Sequence, residues 1–231
     1  MNPTTDGRYR ALGRPHDPAE LLLLSVDALE DDVVPTGPVG DDADDGAEAD
    51  STAPDSLAPV YLDTEQFDYG DDLSETIADL RAGTLLDARI EWVDGDPRLE
   101  AVSVVADSVF EFYDDVTGLF EVARRTWTVA EGDNAPMHGR VTKNTDGEPN
   151  GALYVFAKQS GARDLFEEFR TGLTPLDPLV RRADRAESVP SEPEQPRAVF
   201  VLRPVDEPFL VVYVVFRRDG VLAETLRSTY G

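Results

Sequence analysis

Hydrophobic and polar positions along the chain fall into short blocks whose period shifts between two and three-to-four. Arg8–Leu12 and Glu20–Val26 read as strands on either side of a His16-Asp17-Pro18 turn, and Pro59–Thr64 as a third. Asp72-Leu73-Ser74-Glu75 has the capping-box pattern, and Leu73, Ile77 and Leu80 share one helical face. Together they predict a short helix closed by Gly83 at the position after its C-cap. Leu86, Ala88, Ile90 and Trp92 alternate with Asp87, Arg89 and Glu91, the period of a half-buried strand. Asp94-Gly95-Asp96-Pro97 then turns the chain into a returning strand over Leu99–Val105. Three strands, a helix and two strands is the order of an OB-type Greek-key barrel.

The second half follows another pattern. Leu119, Phe120, Ala123 and Trp127 fit one helical face. Met137–Lys143 and Gly151–Lys158 read as a hairpin around Asn144–Asn150. Leu165, Phe166, Phe169 and Leu173 define a helix ending near Gly172. Thr174-Pro175 is expected to start another, with Leu176, Leu179, Val180 and Ala183 on its face. Val199–Arg203, Phe209–Arg217 and Val221–Arg227 read as strands, the last two joined by a tight Asp219-Gly220 turn. The expected fold class is α+β. A mostly-β, OB-like barrel with one short helix occupies residues 1–113, and an antiparallel sheet with helices on one side occupies 114–231.

Composition adds a strong constraint. Of 231 residues, 47 are Asp or Glu and 21 are Lys or Arg, a net charge of −26 in which lysine occurs only twice. At ordinary salt a charge this large works against the compact state, whereas at molar salt the Debye length falls to about 3 Å and the repulsion is screened. The composition resembles that of proteins from salt-in halophiles, and over its whole length the chain is similar to the protein families of unknown function found in haloarchaea. That resemblance rests on composition and on no motif, so it implies an environment and carries no site residues. Cysteine is absent, which excludes disulfides, thiolate metal sites and a thiol nucleophile. The longest apolar run, Phe209–Phe216, has eight residues, too few to span a bilayer. With no basic leader at the start, the expected location is cytoplasmic, without membrane contact.

The charge is unevenly placed. Residues 1–123 carry −25 of the total, residues 124–180 carry −1, and 181–231 are neutral. Residues 36–58 form an acidic stretch without hydrophobic period, read as a disordered loop, and 187–196 a Pro/Glu-rich extended connection. The acids at 41–50 miss the spacing of a calcium loop, so no metal site is assigned.

Motif chemistry is sparse. The chain has no phosphate-binding loop, dinucleotide-binding glycine motif, nucleophile elbow or H-E-x-x-H, and no cofactor is implied. Only two histidines occur, His16 and His138. The stretch 124–163 holds six basic against four acidic residues, both lysines of the chain included. Arg124, Arg125, Trp127, His138, Arg140, Lys143 and Lys158 are therefore the candidate binding residues for nucleic acid or an acidic protein partner. Arginine supplies bidentate contacts and the aromatic ring stacking that would survive high salt. Burial of the same stretch would equally explain its lack of acid. The expected function is a non-catalytic binding or accessory protein. The alternative is a small hydrolase or transferase using His138 and Arg140 around the 137–158 hairpin, since imidazole titrates near neutrality.

Overall fold

The computed structural model describes residues 2–27, 29, 59–158, 164–185 and 195–231. The acidic stretch 36–58, Arg163 and residues 187–194 of the second connection lie outside the described residues.

Two five-stranded sheets organise the chain. The first comprises β1 (Thr4–Gly13), β2 (Glu20–Ser25), β3 (Val60–Asp63), β4 (Leu85–Val93) and β5 (Asp96–Ala106), in the antiparallel order β3-β2-β1-β4-β5. Strand order and the position of α1 (Gly70–Asp79) between β3 and β4 match the expected succession. The barrel, however, is not confirmed, because the sheet stays open. β3 and β5 approach one another without pairing. β3 has only four residues, and the Asp63 carboxylate accepts from the amides of Glu65 and Gln66 at 2.9 and 3.1 Å, turning the chain out of the sheet. One face of the sheet buries Tyr9, Ala11, Leu21, Leu23, Leu86 and Ile90 under Ile77 and Leu80 around α1. The alternate residues of β1 and β2, including Arg10, Leu12, Leu22 and Leu24, form the other face.

The second sheet runs β6-β9-β10-β8-β7, from β6 (Val109–Val116), β7 (Met137–Lys143), β8 (Pro149–Ala157), β9 (Ala198–Pro204) and β10 (Phe209–Val215). The β7–β8 hairpin forms as the pattern predicts, whereas β6 has no counterpart in the sequence reading and joins β9 in parallel. Division of the chain at 113/114 falls inside β6. β10, Phe-Leu-Val-Val-Tyr-Val-Val, is buried at every residue, which requires cover on both faces. Helices duly pack on both sides rather than on one. α2 (Glu121–Gly132) and α5 (Val221–Tyr230) cover Leu153, Phe200, Val211 and Tyr213. α3 (Leu165–Thr171) and α4 (Asp177–Asp184) cover Phe156, Val201, Leu210 and Val212.

Three local expectations need correction. Residues 221–227 are helical. A two-residue hairpin turn needs positive φ at its glycine, but Gly220 has φ −89° and ψ 165°, the extended geometry of a helix N-cap. The hydrophobic residues Leu222, Ala223, Leu226 and Tyr230 then face the sheet at helical spacing. The capping box at 72–75 does not cap, because α1 begins at Gly70 and its N-cap is Tyr69. α4 begins at Asp177 with Pro178 in its first turn, later than Thr174-Pro175 suggested, and the Thr174 hydroxyl instead donates to Glu168 Oε2 at 2.7 Å.

Polar ties bind α3 and α4 to the second face of the first sheet. Arg170 donates to the Pro15 carbonyl at 3.2 Å, and Arg181 donates to those of Val26 and Leu29 at 2.7 and 3.1 Å. The α3–α4 pair thus connects the two sheets.

Candidate functional site

Where α4 faces the first sheet it presents Asp177, Val180, Arg181, Asp184 and Arg185. These positions follow one another by three, one, three and one, a single helical stripe. Leu179 and Ala183 point to the second sheet and fix the helix there. Opposite the stripe, the period of two in β1 places Arg8 and Arg10 on the same face. Ser108, Gln195 and Arg197 close the end. These residues enclose a cavity of about 370 Å³.

Arg10 is 5% exposed and Asp177 is 3% exposed. Arg10 Nε and Nη2 both donate to Asp177 Oδ1, at 3.0 and 2.7 Å, and Nη1 donates to the Gly83 carbonyl at 2.6 Å. The guanidinium also lies 5.3 Å over the Phe110 ring. Asp177 Oδ2, by contrast, is buried and accepts no hydrogen bond. Arg197, 3% exposed, donates through Nη1 to Gln195 Oε1 at 2.9 Å and to the Phe216 carbonyl at 2.6 Å, and through Nε to Asp184 Oδ1 at 3.1 Å. Its Nη2 stands 2.9 Å from the same Asp184 oxygen but makes no hydrogen bond. Burial raises the Asp184 carboxyl above its ordinary value, an effect that Arg197 and, more weakly, Arg10 oppose.

The side chains of the lining decide what the cavity attracts. Arg8 is matched by Asp87, which it grips at 2.8 and 3.2 Å, and this pairing holds the Asp87 carboxyl below its usual range. The lining also carries Arg10, Arg181, Arg185 and Arg197 with Asp177 and Asp184, in a chain whose net charge is −26. Arg181 donates to the carbonyl oxygens of Val26 and Leu29, which fixes its guanidinium at the rim of the cavity. A partly desolvated pocket rich in guanidinium suits an anion, and guanidinium geometry favours carboxylate or phosphate over a spherical ion.

The residues singled out from the sequence are placed differently. Arg124 pairs with Glu207 at 2.6 Å and Arg125 with Glu121 at 3.0 Å, both on the outer side of α2. Trp127 stacks on Phe209 at 5.2 Å as part of the core. Lys158 Nζ donates to the Pro204 carbonyl, and burial lowers its pKa. His138, Arg140 and Lys143 lie on the edge strand β7, and none of their side chains has a hydrogen bond or ion pair among the described residues. His138 and Arg140 sit opposite Val155 and Leu153, on the face that α2 covers. His138 therefore has no carboxylate or nucleophile partner among the described residues. No cluster of three or more potential metal ligands occurs among them either, and none of their helices is long and apolar enough to cross a membrane.

Sequence reasoning passed over Arg8, Arg10, Asp177, Arg181, Asp184, Arg185 and Arg197. Two signals pointed to them: arginines two apart within a buried strand, and an acid–base stripe at 177, 181, 184 and 185 beside an apolar one.

A family model described as a family of unknown function, DUF6663, matches residues 1–231, and the chain belongs to that family. No curated protein and no solved structure matches it.

Proposed function

We propose that this DUF6663 protein is a non-catalytic binding protein whose site is the arginine-lined cavity between α4 and β1, and whose ligand is a small carboxylate or phosphate anion. The reading rests on one observation: five arginines converge on a 370 Å³ cavity of a strongly acidic chain. That volume lies within the range of small-molecule sites. The protein works in concentrated salt, where surface charge pairs are screened but partly buried ones much less so. A second reading, contact with nucleic acid through β7, draws support from the unpaired His138, Arg140 and Lys143 on an edge strand.

Thermal unfolding at constant ionic strength separates the two. Glutarate or inorganic phosphate at a hundred times its Kd stabilises the native state by about 2.7 kcal/mol, a rise in Tm of about 5–10 °C for a chain of this size. The Arg185→Gln variant should show a smaller rise. A Tm insensitive to both anions, together with retention of a single-stranded oligonucleotide that Arg140→Ala abolishes, would replace the first reading with the second.

A further inference from the structure

β3, β5, β6 and β7 form the outer edges of the two sheets. Charge on an edge strand guards it against unwanted pairing, and either sign serves. β3 carries Asp63, β5 carries Asp96 and Glu100 with Arg98, and β6 carries Glu111, Asp114 and Asp115, as befits so acidic a chain. β7 departs from them: it carries His138, Arg140 and Lys143 and no acid. Guarding alone does not explain a basic edge where the other edges are acidic.

The register shows what this edge offers. The Ala157 amide donates to the Pro136 carbonyl at 2.8 Å, so hydrogen-bonded pairs with β8 recur at every second residue from there, at His138 and Arg140. Met137, Gly139 and Val141 therefore turn their N–H and C=O groups away from β8, and among the described residues no strand pairs with β7 on that side. His138 and Arg140, two residues apart, project from one face of the strand, and their side chains have no hydrogen bond or ion pair among the described residues.

We propose that β7 takes an acidic extended segment of a partner protein as an additional, antiparallel strand. Residues of that segment opposite Met137, Gly139 and Val141 exchange backbone hydrogen bonds with β7. Those opposite His138 and Arg140 fall in non-hydrogen-bonded pairs, where side chains approach closest. Acids at these alternate positions meet the imidazole and the guanidinium, and aliphatic residues between them lie beside Met137 and Val141. The partner segment thus alternates acid with aliphatic. Nucleic acid matches the charges but has no amide ladder for the open backbone. The edge shares no residue with the arginine-lined cavity, so the two sites stand or fall separately.

Isothermal titration of the full chain, with KCl held at one concentration, tests the proposal. The probe is acetyl-Glu-Val-Glu-Val-Glu-Val-Glu-amide, compared with its isomer acetyl-Glu-Glu-Val-Val-Val-Glu-Glu-amide, which has the same charge and composition. The alternating peptide should bind saturably and at least about fivefold more tightly, the ratio that favourable cross-strand charge pairs supply. Methylation of its valine nitrogens removes the donors that face β7 and should abolish binding. Arg140→Ala, a change to an exposed side chain, should weaken the alternating peptide by about two- to fivefold. Equal binding of the alternating peptide and either the isomer or the methylated form would overturn the proposal, as would an Arg140→Ala variant that binds like the wild type. Binding of an oligouridylate with none of the alternating peptide would overturn it in favour of nucleic acid. Failure of both would overturn it outright.

Discussion

At the scale of single residues, the junction between the sheets depends on Gly83. Its φ of +103° is a conformation that side chains rarely adopt, and a Cβ there would lie 2.5 Å from the amide nitrogen of Phe110 and 2.7 Å from the Val109 backbone. The neighbouring carbonyls are both in use: Ala82 O accepts from Phe110 N at 2.7 Å and Gly83 O from Arg10 at 2.6 Å. The local backbone therefore cannot move away from a clash. Gly83→Ala adds that clash to the backbone penalty and should lose more than about 2 kcal/mol in denaturant unfolding. Gly147→Ala, with φ +83° and open space around it, should show only the backbone penalty of about 1–2 kcal/mol. Equal losses in the two variants would mean that the Phe110 contact does not constrain the junction. The sequence reading of Gly83 as a helix terminator identified an unusual backbone but not its cause, since the strand it touches begins 26 residues later. Arg10 was harder still. Its partner is 167 residues away, and no local period announces a pairing of that kind.

At the scale of elements, local pattern was most informative where one face of a strand or helix meets water. β4 and β5, the β7–β8 hairpin, α2 and α3 all show a clear period, and all form close to the predicted positions. Legibility fell where both faces are buried or where tertiary packing overrides propensity. The uniform burial of β10 hid the fact that helices cover both sides of its sheet. Val221–Leu226 mixes β-branched and helix-favouring residues, and only docking on Phe200 and Tyr213 selects the helix. That docking can be tested. Leu226, buried against the sheet, should cost about 2–5 kcal/mol when changed to Ala, whereas Val221→Ala, 82% exposed, should change stability by less than about 0.5 kcal/mol. A reversal of that order would be the result expected of the hairpin and not of the helix. The candidate cavity was illegible for a related reason. Its stripe on α4 is obvious in the structure, yet residues 181–231 sum to zero charge, so a search for net charge passes over them.

At the scale of the whole molecule, two opposite charge distributions are superimposed. The chain is strongly acidic overall, while the cavity that joins its two sheets is lined by five arginines. If the acidity is an adaptation to salt, raising KCl from about 0.1 M to molar concentration should raise Tm progressively, as the Debye length shrinks from about 10 Å to about 3 Å. A Tm that is flat or falls over that range would remove the halophilic reading. The cavity makes a separate claim, since buried charge is shielded from bulk ions. Its most direct test is calorimetric titration of the wild-type chain and Arg185→Gln with glutarate at fixed ionic strength. The account predicts saturable binding of one glutarate per chain, weakened at least severalfold by the substitution. Absence of saturable heat from the wild type, or identical isotherms for the two proteins, would contradict it.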